Sequence, residues 1–241
     1  PRLKEQFKII GQPRSGIDVK AIAQGQNLYG IDIDLPDMLV ASLAHSPVPG
    51  GRVKKLNSEK SRKIDGVIDV IELSALGPDI NSVASVAVIA KNTWSAFQGK
   101  KALEIEWDFQ GLKLDDSAKF REELSAALTR PGTVYRNEGS ISDGKKEAVE
   151  IFSATYHTPF LVHAQMEPLV ATASVTSKGC EIWAPSQDPA RVVQAVKRVL
   201  GLSPDKIQFH LTFLGGGYGR KSQPDFVMEA VLLSQKMGKP V

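Results

Sequence analysis

Every apolar run in this 241-residue chain is short, and that narrows what it can fold into more than any other feature. None approaches the ~20 residues that a membrane-spanning helix needs. The runs are strand-sized instead: residues 67–73 alternate as VIDVIEL, and residues 83–90 form a β-rich stretch lightened by Ala84, Ser85 and Ala87. Strands this short must bury their apolar faces against another layer, a helix or a second sheet. Helix signals lie between them. Asn92-Thr93 predicts a cap for a helix over 94–103. Asp188 followed by Pro189 predicts a second helix, running to Leu200 and stopped by Gly201.

In chain order, residues 1–24 are a basic lead-in of weak periodicity that wraps another surface. Strands are expected over 28–33, 38–45, 67–73, 83–90 and 104–107, so that residues 25–112 make one α+β unit. A polar joint follows. Asp115-Asp116 opens a helix to about residue 130, with Phe120, Leu124, Ala127 and Leu128 on one side. Residues 131–146 are rich in Gly, Ser, Asn and Asp and read as a surface loop. Strands over 148–156, 169–175, 181–184 and 207–214, the helix after Asp188 and a last helix from Pro224 to Met237 complete a second unit, 113–241. The fold class is α+β. A start at Pro1 and an ending Gly238-Lys239-Pro240-Val241, a helix stop leading into a further strand, predict a piece of a longer protein or one subunit of a split one.

The formal net charge of +3 is too small to argue for nucleic acid or a membrane surface. The most basic stretch, residues 52–63, has no interleaved aromatics to stack on bases and reads as a solvated loop or helix face. Cys180 is the only cysteine, which excludes an internal disulfide, a thiolate zinc site and an iron–sulfur cluster within the chain. It leaves the compartment open between cytoplasm and periplasm.

The Gly-rich turn from Leu214 to Lys221 carries the clearest mechanism. Its glycines let the backbone approach a ligand and turn several N–H groups towards one electron-rich group. It is neither a P-loop nor a dinucleotide fingerprint, since the glycine spacing is G-x-G-x-G and Arg220 stands where a P-loop needs glycine. A tight structural connection is the plain alternative. In the segment from His163 to Pro168 (HAQMEP), a histidine four residues from Glu167 suggests metal ligation or acid–base work, but no second histidine stands at ligand spacing. The run Trp183 to Gln187 (WAPSQ) either lines a pocket or packs.

Taken together, these motifs resemble the molybdenum-binding subunit of the xanthine oxidase family, in its isoquinoline 1-oxidoreductase and aldehyde dehydrogenase branch. YGIDIDLP at 29–36 and LVASLAHSP at 39–47 are similar to the opening of that family's hammerhead domain, and residues 88–99 to its closing strand and helix. HAQMEP, EIWAPSQ at 181–187 and the GGGYGR loop at 215–220 resemble successive segments of its molybdopterin-binding domain, with Tyr218 in place of Phe.

The resemblance implies a hammerhead-like α/β domain followed by the first part of a mixed α+β molybdopterin-binding domain. It implies that Gly215, Gly216, Gly217, Tyr218, Gly219 and Arg220 bind the molybdenum–molybdopterin cofactor. It further implies hydroxylation of an N-heteroaromatic or aldehyde carbon with oxygen from water, electrons passing to iron–sulfur clusters on a partner subunit or domain. The catalytic base is expected beyond Val241, in the remainder of the molybdopterin-binding subunit, so the chain by itself is expected to be inactive. The resemblance leans towards the periplasm. Ser222 stands where purine-oxidising members carry Glu, and Leu161 aligns with their Gln, so the small-molecule substrate is expected not to be a purine. Two rival readings are a non-catalytic assembly or binding subunit of the same fold, and a phosphate- or nucleotide-binding protein using the same loop.

Overall fold

A computed structural model describes residues 7–26, 28–112 and 115–241. Two compact units emerge, one formed by Pro1–Gln110 with His163–Val241 and the other by Gly111–Val162. In the larger unit, α1 (Val19–Ala23) precedes β1 (Val40–His45), β2 (Arg52–Asn57), α2 (Glu59–Arg62), β3 (Val67–Leu73), β4 (Ser85–Ala90), α3 (Thr93–Lys101) and β5 (Glu104–Asp108). The smaller unit holds α4 (Ser117–Ala127) and α5 (Ile141–Glu147). The larger unit resumes with β6 (Thr172–Thr176), β7 (Gly179–Ala184), α6 (Pro189–Leu200), β8 (Ile207–Leu211) and α7 (Asp225–Met237).

Strand β4 is the centre of an antiparallel sheet ordered β1-β4-β3, and all its residues are buried. Successive side chains of a strand leave opposite faces. Ala87 and Ile89 pack with Leu39, Leu73 and, from α7, Leu233. Val86 and Val88 pack towards Val53 and Leu56 of β2 and Ile105 and Trp107 of β5. Both faces are therefore apolar, and the run lacks the polar alternation of β3 because neither side meets water. Helix α3 starts where Asn92 Oδ1 accepts the Ser95 N–H at 2.8 Å. It lies so close to the sheet that a Cβ on Gly99 would sit 2.6 Å from a Val88 methyl.

The second sheet is ordered β6-β7-β8, with β7 and β8 parallel and joined by α6 as the crossover. Its inner face, Ala173, Ile182 and Ala184, packs against Val192 and Val196 of α6 and Val227 and Val231 of α7. Helix α7 thus contributes to two cores, which explains its nearly continuous apolar surface. Gly238 (φ 64°) ends it, and Val241 then exchanges two backbone hydrogen bonds with Ala173, at 3.0 and 2.9 Å, as the Gly-Lys-Pro-Val ending predicts.

Several expectations are corrected. Residues 28–33 are not a strand: Gly30–Asp32 form a 3-10 turn, because the Asp32 carboxylate accepts the Tyr29 N–H and folds the chain back. Only Tyr29 bridges to Phe213. Residues 148–156 form no strand and are exposed, because no partner strand is offered to them among the described residues. The loop expected over 131–146 contains the start of α5, capped by Ser140 Oγ on the Asp143 N–H. The basic stretch 52–63 is half strand, and two of its lysines pair with acids of β5, Lys54 with Glu106 at 2.6 Å and Lys60 with Glu104 at 2.5 Å. Helix α4 has its predicted cap and span, yet Phe120, Leu124 and Leu128 are exposed within the smaller unit, Phe120 meeting only the Phe160 ring at 5.5 Å among aromatic partners. Of the lead-in, residues 1–6 lie outside the described residues, and the rest is irregular apart from α1. The expected 112/113 division adjoins residues 113–114, also outside them.

His45 at the end of β1 meets Glu229 of α7, Nε2 to Oε1 2.6 Å. The hydrogen bond that Glu229 accepts raises the imidazole pKa above its ordinary 6.5, against partial burial and Lys100, which lower it, and with Asp225 adding to the rise. A raised histidine pKa stabilises the fold fully below the unfolded value, and that contribution is lost as pH rises through the folded one. Chemical denaturation over a pH series should therefore show stability declining through that window, and His45→Gln should flatten the decline. Gly99→Val should cost about 1–3 kcal/mol by overpacking β4, measured by urea unfolding.

Candidate functional site

The loop from Leu214 to Gly219 leaves the end of β8 and returns to the start of α7 through a short 3-10 turn, Arg220–Ser222. Its backbone is held at both ends. The Gly215 N–H donates to Glu167 Oε2 at 2.9 Å, and the Gly215 carbonyl accepts the Glu167 N–H at 3.0 Å. At the other end the Gly219 N–H donates to Gln187 Oε1 at 2.9 Å. Between these anchors, the N–H groups of Gly216, Gly217 and Tyr218 have no acceptor among the described residues. Gly216 (φ 98°) and Gly219 (φ 92°) make the turn possible, and Tyr218 is forced into the same left-handed region at φ 51°. Such a conformation in a tyrosine costs on the order of 1–3 kcal/mol and persists only where surrounding contacts impose it. Its ring is largely exposed, at 73%.

Beneath the loop lies a buried ion pair. Lys221 Nζ sits 2.5 Å from Glu167 Oε2, with side-chain exposures of 0% and 6%. Glu167 Oε1 accepts the Gly30 N–H at 3.0 Å. One carboxylate thus receives a backbone donor from the 3-10 turn, a backbone donor from the loop and the lysine ammonium, so that the charge of each partner is satisfied in an interior that would otherwise penalise it. The Lys221 carbonyl in turn accepts the Gln187 N–H at 3.0 Å and the Ser186 hydroxyl at 3.4 Å. The WAPSQ run ends on this contact. Trp183 itself packs, stacking on the His210 ring at 4.8 Å between centroids.

The six loop residues named from sequence are brought together but are not equivalent. The Gly215 and Gly219 amides are consumed by Glu167 and Gln187. Arg220 reaches back to Asp225 at the start of α7, with both guanidinium nitrogens at 2.8 and 2.5 Å, and that carboxylate holds its pKa above the usual arginine value. Gly216, Gly217 and Tyr218 alone keep open donors among the described residues. His163 and Glu167 part company: the histidine is exposed and the glutamate buried. Among the described residues, no group of three His, Cys, Asp or Glu side chains could hold a metal.

A family model described as a molybdopterin cofactor-binding domain matches residues 127–241, the stretch that contains this loop. Isoquinoline 1-oxidoreductase subunit beta of Brevundimonas diminuta is 26% identical over 247 residues, covering 99% of this chain and 31% of that protein. Residues 127–241 of this chain thus match a molybdopterin cofactor-binding domain. A second relative in sequence, the membrane-bound aldehyde dehydrogenase (pyrroloquinoline-quinone) of Gluconacetobacter polyoxogenes, is 26% identical over 97% of this chain and 31% of its own length. The crystal structure of quinoline 2-oxidoreductase from Pseudomonas putida 86 shares the fold, with a TM-score of 0.68 and 19% identity over 93% of this chain and 33% of that one. The chain spans about a third of the length of the relatives named here.

Lys221 and Gly30 are given no individual role by sequence reasoning, and Gln187 is read there only as the end of a run that lines a pocket or packs. No local signal marks Lys221, because its partner Glu167 lies 54 residues earlier in the chain. A Cβ on Gly215 would fall 2.5 Å from the Glu167 Cβ. Gly215→Ala should therefore separate the loop from Glu167 and lower stability by about 1–3 kcal/mol, read by thermal or urea unfolding.

Proposed function

We propose that this chain forms part of the cofactor-holding subunit of a molybdenum hydroxylase that oxidises an N-heteroaromatic or aldehyde carbon. The observation that carries this reading is the row of open amides at Gly216, Gly217 and Tyr218, on a loop fastened at both ends. Convergent N–H donors suit electron-rich oxo, sulfido and dithiolene atoms. The residues present fit a molybdopterin group: these three would hold it through their backbones, while Gly215, Gly219 and Arg220 shape the loop. When bound, the cofactor supplies oxidative hydroxylation with oxygen from water. The chain's own part is to bind it, orient it and flank it with the exposed Tyr218 ring.

In this reading residues 25–112 are a hammerhead-like domain and 113–241 the first part of the molybdopterin-binding domain. The base that activates water belongs to the remainder of the subunit. Iron–sulfur clusters belong to a partner subunit or a further domain, since these 241 residues with one cysteine cannot ligate them. The substrate class is supported by the names of the two sequence relatives and by Ser222, whose hydroxyl is spent on the Gly219 carbonyl at 2.5 Å.

Metal and pterin analysis of the longest native polypeptide containing this chain tests the reading. Molybdenum and pterin in equal amounts are expected, with turnover of an N-heteroaromatic or aldehyde substrate. A quinone cofactor without pterin, or no cofactor at all, would overturn it.

A further inference from the structure

A buried ion pair is a weak source of net stability, because desolvating both charges offsets their attraction. The Glu167–Lys221 pair nevertheless occupies the volume directly under the loop, with the lysine fully buried. Its partners are the informative feature. Glu167 Oε2 receives both the Gly215 N–H, at the start of the loop, and Lys221 Nζ, just past its end. A single oxygen therefore closes the segment 215–221 into a ring. Oε1 ties that ring to Gly30, 137 residues earlier.

The charges matter as well as the shape. The open amides of Gly216, Gly217 and Tyr218 suit an electron-rich ligand, and an uncompensated carboxylate beneath them would repel it. Lys221 cancels that charge at 2.5 Å. Among the described residues no other ion pair involves Glu167, so no second cation stands ready to replace it.

We propose that Glu167 and Lys221 are positioning residues, which fix the direction of the Gly216–Tyr218 donors and neutralise the site for an electron-rich cofactor. This rests on the reading of the loop as a molybdopterin contact, but its geometric half stands independently. Lys221→Met leaves the carboxylate buried and unpaired. Glu167→Gln keeps the shape but turns an amide NH2 towards one of two N–H donors. Either change frees the loop while β4 and α7, which bury their own apolar faces, stay in place.

The test is amide hydrogen exchange of the full chain, comparing peptides covering 214–222 with peptides covering β4, alongside Gly99→Val as a variant loosened elsewhere. Lys221→Met and Glu167→Gln should each speed exchange in 214–222 by about tenfold or more with β4 unchanged, whereas Gly99→Val should speed β4. Equal acceleration in both regions, or none in the loop, would overturn the positioning role. In the cofactor-loaded protein, molybdenum and pterin retention should fall by about 10–100-fold in apparent affinity for both variants. Undiminished retention would overturn the electrostatic half. Absence of molybdenum from the unmodified protein would sink the reading of the loop, while the exchange result would still decide the geometry.

Discussion

The Glu167 carboxylate is where separate stretches of this chain are reconciled. Backbone donors from Gly30 and Gly215 and the ammonium of Lys221 converge on its two oxygens. None of these groups could be buried alone without losing its hydration for nothing in return. Placed together they satisfy one another, and the 3-10 turn near the start of the chain is brought against the loop near its end. Lys221 also passes its carbonyl to Ser186 and Gln187, so the end of β7 is drawn to the same point.

Around that point the apolar architecture supplies rigidity. Strand β4 is buried on both faces and α7 packs into the cores of both sheets. The loop hangs between the end of β8 and the start of α7, and Arg220 pins it to Asp225 in the first turn of that helix. A short connection between two well-packed elements can hold a tyrosine at positive φ and leave three amides without acceptors among the described residues. A looser one would relax and pair them. Strain and open donors are thus consequences of how firmly the neighbours are packed.

The smaller unit follows another logic. Its helices have sound N-caps at Asp116 and Ser140, yet neither buries a residue, and Val149, Phe152, Tyr156 and Phe160 stand in solvent. Caps satisfy the terminal donors of such short helices, whereas most helical stability comes from packing an apolar face.

Much of the molecule was legible because it depends on neighbours a few residues apart. Asn92, Asp116 and Asp188 announce their helices through side chains that accept the third N–H onward, and Gly201 and Gly238 end theirs in the left-handed region. The Gly-rich loop and the family resemblance were likewise visible as ordered local motifs. The strand proposed for 28–33 failed because Asp32 folds the chain back on the Tyr29 N–H and Glu167, 137 residues away, takes the Gly30 N–H, and the one proposed for 148–156 because no strand pairs with it among the described residues. The sequence by itself determined most of the helices and strands, the helix caps and the place of the Gly-rich loop. Only the tertiary structure decided which loop amides remain open and that Lys221 is buried against Glu167, because the fate of a polar group depends on what the fold brings to it, and that distance in sequence leaves no local trace.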